Sequence, residues 1–197
     1  MGRLVSPTSA LTRRGRARRR FNCGDQARWE DRARSAAALL KAHEAQLPSK
    51  TGKPLVIADL GAGNERLRSL LGELLDGEHR YLPFDLHPQL PTTTRLDVKQ
   101  GLPDDRFDVG VCLGLLEYLP NVPDFLDRLG ESCSFALISY VTCDSPVAMP
   151  REQRLEHHWV SHFAAAELEA AFAAAGFKPL DRTDCEEGVT TLWLLRQ

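Results

Sequence analysis

A chain of 197 residues is long enough for one domain with a real core and too short for two ordinary ones. Its 43% hydrophobic and 26% charged residues are those of a soluble globular protein. No apolar run approaches the ~20 residues that a membrane span needs. The net charge of −2 is unevenly spread, because seven arginines (Arg3, Arg13, Arg14, Arg16, Arg18, Arg19 and Arg20) precede the first acid, Asp25. Removing those seven from 25 basic residues leaves 18 against 27 acidic ones. Five cysteines (Cys23, Cys112, Cys133, Cys143 and Cys185) are odd in number and form no C-x-x-C pair. That pattern argues against zinc ligation and a disulfide framework, and for reduced thiols in a cytoplasmic protein.

Residues 1–20 read as a basic arm without apolar periodicity, hence disordered. The composition fits a nucleic-acid tail, a transit peptide or a loose extension. Residues 21–197 read as the folded domain. Within 21–50, Trp29, Ala33, Ala36, Ala37, Leu40 and Leu47 recur at helical spacing and stop before Pro48, predicting a helix packed on a sheet. Residues 49–52 are polar and small, a turn.

The informative stretch comes next. Leu55 to Leu60 is a short, β-branched-rich apolar run, a buried strand. Gly61, Ala62 and Gly63 follow at once, and then Leu67, Leu70, Leu71, Leu74 and Leu75 recur at helical spacing. Strand, glycine turn and helix make the first half of a βαβ unit, and the glycines let a ligand approach bare backbone. A dinucleotide-binding turn wants a small residue where this chain has Arg66, and Glu65 would repel a pyrophosphate there. No Gly-Lys-Ser/Thr follows, so a P-loop is excluded.

Asp76-Gly77 closes that helix, and His79 to Asp85 runs out as a second strand in which Pro83 is awkward. Asp85 stands at a carboxyl end, where open α/β sheets bind ligands, and a carboxylate can accept from both hydroxyls of a ribose. Asp97 ends a short strand. Asp108 starts the next, which runs apolar from Val109 to Leu116 and is followed by Glu117 and Tyr118. A helix over Pro123–Leu129 and a fifth strand over Phe135–Val141 follow. The span Thr142–Ser161 is irregular and leads into His157, His158 and His162. No carboxylate there has a metal-ligand spacing, so no metal site is expected. An alanine-rich helix over Ala164–Ala175, capped by Gly176, precedes two strands, Phe177–Leu180 and Val189–Leu195.

Taken in order, Asp59-Leu60-Gly61-Ala62-Gly63, Tyr81-Leu82-Pro83-Phe84-Asp85, Arg95-Leu96-Asp97-Val98 and Phe107 to Leu119 resemble the motifs of class I S-adenosylmethionine-dependent methyltransferases. The resemblance runs from about Trp29 to the C-terminus. It implies a doubly wound α/β sandwich whose seven-stranded, mostly parallel sheet carries an antiparallel last strand. It implies S-adenosylmethionine as cofactor, held by Asp59, Gly61, Ala62 and Gly63, by Asp85 with Leu86 at the ribose, by Asp97 and Val98 at the adenine, and by Leu113 and Gly114 near the sulfonium. Trp29 becomes a lid residue. One of His157, His158 and His162, or Tyr140, becomes a general base. Three features depart from common patterns. Glu65 replaces a third glycine, no Asn/Asp-Pro-Pro-Tyr follows the fourth strand, and Gly130-Glu131-Ser132-Cys133 stands where Leu-Lys-Pro-Gly-Gly is usual. The expected activity is methylation of a small-molecule hydroxyl. The alternatives are a nucleic-acid methyltransferase tethered by the arm, and a non-catalytic cofactor-binding subunit.

Overall fold

The computed structural model describes residues 26–48, 53–145 and 147–197. The expected basic arm, Cys23 and the turn at 49–52 lie outside them. Among the described residues seven strands form one sheet: β1 (Leu55–Leu60), β2 (His79–Asp85), β3 (Thr94–Arg95), β4 (Phe107–Cys112), β5 (Cys133–Tyr140), β6 (Lys178–Cys185) and β7 (Thr190–Arg196). The order is β3-β2-β1-β4-β5-β7-β6. β7 is antiparallel to both of its neighbours, and the other pairs are parallel. The chain reverses its direction of winding between β1 and β4, so the carboxyl ends of these two strands frame the switch point where such sheets bind ligands.

Among the described residues five α-helices cover the sheet: α1 (Gln26–Ala42), α2 (Arg66–Leu74), α3 (Val122–Ser132), α4 (Arg151–Glu156) and α5 (Ala165–Ala174). On one face the stripe Ala33, Ala36, Ala37 and Leu40 of α1 joins Leu67, Leu70 and Leu71 of α2 over Ile57, Val109, Val111 and Leu194. On the other, Phe125, Leu126 and Leu129 of α3 meet Leu168 and Phe172 of α5 over Ala58, Ile138 and Trp193. Residues such as Leu40, Leu71 and Phe172, with no exposed surface, carry the folding energy, at about 2–5 kcal/mol for each truncation to alanine. Asn121 starts α3 by accepting the Asp124 amide on its side chain, with a proline in the first turn.

Several expectations shift. β3 is only two residues long, so Asp97 lies past the strand rather than ending it. No helix joins β2 to β3 or β3 to β4 among the described residues, so the strand–helix alternation is thinner than the pattern implied. The irregular stretch after β5 contains α4, and β6 begins near its expected start and runs on to Cys185. Pro83 is accommodated because the Phe84 carbonyl faces β1, accepting from Gly61 and Ala62, whereas the Asp85 carbonyl faces β3. The missing N–H of Pro83 therefore points to the β3 side, one residue before that pairing begins.

Candidate cofactor site

The turn after β1 is built by left-handed backbone. Gly61 has φ 85° and Gly63 φ 54°, and Glu65 also adopts φ 58°. A non-glycine residue pays for that conformation, and here its side chain is held from three sides. Glu65 Oε1 accepts from Thr92 Oγ1 at 2.7 Å and Thr93 Oγ1 at 2.6 Å, and Arg68 reaches Oε2 at 2.8 Å. Burial pushes this carboxyl up, but the hydroxyls and the Arg68 charge outweigh it and hold the group below its ordinary range. The carboxylate that would repel a phosphate is thus turned into the link between α2 and the loop after β2. Asp85 braces the turn from β2: its Oδ2 accepts from the Gly63 amide at 2.9 Å, and Oδ1 from His87 N at 2.7 Å.

Above this turn lies a cavity of about 260 Å³, lined by Asp59, Gly61, Ala62, Gly63, Asp85, Leu86, Leu113 and Gly114 from the strand ends. Trp29 and Arg32 of α1 close it on one side, and Gln26, Arg66, His87, Gln89 and Tyr118 are among the other residues that line it. A second hollow of about 220 Å³ shares Gly61, Leu86, Leu115 and Tyr118 with it, and adds Asp97, Val98 and His158. The two form one bent cleft. Asp97 Oδ1 accepts from Lys99 N at 3.1 Å, and Oδ2 from Gln100 Nε2 at 3.1 Å. All ten residues expected at the cofactor line this cleft. Asp108, by contrast, sits at the opposite end, its carboxylate accepting from Val56 N at 2.8 Å.

Electrostatically the cleft floor is acidic. Asp59 is only 4% exposed, and Tyr81 Oη donates to its Oδ2. Burial first, and then the charges of Asp85 and Glu65, push its carboxyl up to about 7 against the pull of that hydrogen bond. Burial and the Asp59 charge push the Tyr81 phenol up in turn. Among the described residues no cation pairs with Asp59, and a buried acid so placed at a cavity is suited to a cationic ligand. Opposite it, Gly114 has φ 65°, and a Cβ there would stand 2.5 Å from Arg32 Nη1 and 2.9 Å from Trp29 Cη2. Only glycine lets α1 lie this close to the turn after β4.

The expected general bases do not gather in the cleft. Tyr140 is wholly buried; its hydroxyl meets Ser161 Oγ at 3.0 Å and accepts from Phe163 N and Arg154 Nη2, each at 3.1 Å. β5 is buried on both faces almost throughout, so its last side chain is core rather than site. His162 Nδ1 accepts from Arg154 Nε at 3.1 Å. Burial and the charges of Arg154 and Arg151 hold its pKa down, leaving a neutral ring turned away from the cleft. His157 is exposed, 5.5 Å from the Trp159 ring. His158 alone of the three lines the cleft, in left-handed backbone with φ 63°. Glu117 is buried: Oε1 accepts from Val141 N at 3.1 Å, and burial pushes its pKa up despite Arg32 and Arg154. Among the described residues no cluster of three or more metal-ligating side chains occurs.

Sequence patterns missed Arg32 and Arg154. Arg32 follows Trp29 by three positions and so shares its helix face, a signal that was available. Arg154, 1% exposed, donates to the carbonyls of Val141 (2.6 Å) and Ser161 (3.2 Å) and sits 5.2 Å from the Trp159 ring. It anchors the post-β5 segment, and no local pattern announces it.

A family model described as "Methyltransferase domain" matches residues 28–181. Among curated proteins nothing matches, but many solved structures do. The magnesium protoporphyrin IX methyltransferase of Synechocystis PCC 6803, solved with bound SAH, is 14% identical with a TM-score of 0.66, covering 94% of each chain. An O-methyltransferase family 2 protein from Planctomyces limnophilus DSM 3776, in complex with apigenin, is 15% identical with a TM-score of 0.59, over 84% of this chain and 61% of that one. The mitomycin 7-O-methyltransferase is also 15% identical, with a TM-score of 0.57 over 84% of this chain. This chain spans only 54% of that enzyme's length. The match over most of the folded chain, the seven-stranded sheet with its antiparallel β7, and the acidic glycine-turned cleft lead to one conclusion: the chain belongs to the methyltransferase domain family, as a class I S-adenosylmethionine-dependent methyltransferase.

Proposed function

We propose that the enzyme methylates a hydroxyl group of a small molecule, with the cofactor lying along the bent cleft. The observation that carries the placement is Asp59, a buried carboxylate that faces the cavity and, among the described residues, is in no ion pair. The residues fit the group in each part. Asp59 and the backbone around Gly114 face the cationic amino-acid half, with Arg32 Nη1 directed at its carboxylate. Asp85 takes the ribose hydroxyls, and Leu86, Asp97 and Val98 flank the adenine. When bound, the cofactor supplies an electrophilic methyl whose sulfonium leaving group needs no acid to depart. The protein's task is therefore alignment and exclusion of water, and orientation alone contributes about 7–11 kcal/mol in favourable cases. Trp29 and Arg32 close the cavity from α1. Tyr118 and His87 line it, and on this reading one of them takes the hydroxyl proton; such a base is worth roughly 10²–10⁴-fold. The flat face of Trp29 and the amides of Gln26 and Gln89 suit a hydroxylated ring. The structural relatives that methylate mitomycin oxygen or hold apigenin support this acceptor class.

The test is methyl transfer from S-adenosylmethionine carrying labelled methyl, against a panel of phenols, sugars, amines and RNA. Label in an alkali-stable ether of a hydroxylated small molecule is expected. Label confined to RNA, or to nitrogen, would overturn the acceptor assignment.

A further inference from the structure

We infer that Glu186, in the turn between β6 and β7, is a positioning residue that aims Arg32 at the carboxylate of the cofactor. The inference rests on the reading that Arg32 faces that carboxylate, and it extends the site beyond the stretch matched by the family model, which ends at residue 181.

Arg32 is 7% exposed and Glu186 6%. Arg32 Nε donates to Glu186 Oε1 at 2.6 Å, and Nη2 to Thr190 Oγ1 at 3.3 Å. Thr190 Oγ1 in turn donates to Glu186 Oε2 at 2.8 Å. Two of the three guanidinium nitrogens are therefore fixed from the side away from the cavity. The third, Nη1, projects over Gly114, and the Trp29 ring stacks 4.4 Å from the guanidinium carbon. A guanidinium is planar, so two fixed nitrogens determine where the third points.

The turn is shaped for this contact. Glu186, Glu187 and Gly188 follow one another in left-handed backbone, with φ of 52°, 57° and 83°. Two successive glutamates in that region are disfavoured, and the surroundings hold them there. The Glu186 amide donates to Asp31 Oδ2 at 2.6 Å, beside Arg32 on α1. Ordinary hairpin chemistry would put glycine or asparagine at such positions. A side chain that no turn requires, held in disfavoured backbone against a cavity-lining arginine, is explained by the arginine.

The test needs no acceptor. Titration calorimetry measures binding of S-adenosylhomocysteine and of 5′-methylthioadenosine, which keeps the nucleoside and sulfur but lacks the amino-acid carboxylate. The variants are Glu186→Ala, Glu186→Gln and Thr190→Val. A misdirected charge-assisted contact costs about tenfold in affinity or more. Glu186→Ala is expected to weaken S-adenosylhomocysteine by about tenfold and to leave 5′-methylthioadenosine within about twofold. Glu186→Gln, which keeps an acceptor for Arg32 Nε, should recover most of the loss. Thr190→Val, a near-isosteric change that removes the hydroxyl between Arg32 Nη2 and Glu186 Oε2 but leaves the Arg32–Glu186 pair itself, should show a smaller loss with the same ligand selectivity, and it stands in if Glu186→Ala fails to fold. Equal weakening of both ligands, or of neither, would overturn the positioning role. Wild type that binds neither ligand would instead remove the cofactor reading on which this one stands.

Discussion

Asp59 yields a prediction that depends on neither acceptor nor cofactor. Its carboxyl titrates near 7 in the fold against an ordinary value of 3.8, chiefly because burial disfavours the charge. Between those values the unfolded chain has lost the proton and the folded one retains it. The unfolded state therefore binds fewer protons, and stability falls as pH rises, by about 1.4 kcal/mol per unit, levelling above pH 7. Asp59→Asn keeps the shape and an acceptor for Tyr81 while removing the charge. Urea unfolding of both proteins at pH 5, 6, 7 and 8 isolates the residue, because every other titrating group is common to the two. From pH 5 to pH 7, less than two full units at that slope because the group is half-ionised at 7, the variant's advantage should grow by roughly 2 kcal/mol and then level off. A difference that stays flat from pH 5 to 8 would show that Asp59 is ionised throughout, and the account of the acidic floor would fall with it.

Other predictions use the same floor and its surroundings. Placing the cofactor's cationic half beside Asp59 should drive off its proton. Calorimetry of S-adenosylhomocysteine binding at pH 6, in buffers of different ionisation enthalpy, should then report release of close to one proton in wild type and about none in Asp59→Asn. Gly114→Ala introduces a Cβ 2.5 Å from Arg32 Nη1 at a φ of 65°. It should cost about 1–3 kcal/mol in urea unfolding and weaken cofactor binding by at least about tenfold. Asp85→Ala should weaken the same ligand by a similar factor, since both the ribose contact and the brace on Gly63 are lost; unchanged affinity would remove Asp85 from the site. Arg154→Met removes the buried donor to the carbonyls of Val141 and Ser161 and to His162 Nδ1. A loss of about 3 kcal/mol or more is expected, with faster proteolysis of residues 142–163 and cofactor affinity altered only a few-fold.

The sheet was legible because parallel strands buried on both faces read as apolar runs, and Leu55–Leu60 and Phe107–Cys112 are such runs, each followed by a glycine turn. The residues that line the cleft were legible for a related reason: a ligand at the switch point must touch the residues that end those strands. The acceptor side was not. His157, His158 and His162 stand close in sequence, but α4 and its left-handed end at His158 send the three rings in different directions. Tyr140 looked catalytic by position, whereas its hydroxyl closes a buried network. Glu65 shows a further limit. Read as a charge at a helix start it argued about phosphates; in place it is a buried knot tied to two threonines and an arginine. Partners distant in sequence (Thr92 and Thr93 for Glu65, Arg154 for Tyr140) decided two of these outcomes, and local periodicity carries no record of them.

The contact between Arg32 and Glu186 spans 154 positions of sequence. A bond of such separation cannot form until the chain between has been gathered in, and the entropy of closing that loop delays it. The cavity wall is therefore completed by one of the most distant pairings in the molecule, not by any local unit. An interaction absent from the folding transition state acts on the rate of escape from the native state. Cofactor bound at this wall should accordingly slow unfolding while leaving the folding rate unchanged, so that in this protein occupancy of the site sets the lifetime of the fold.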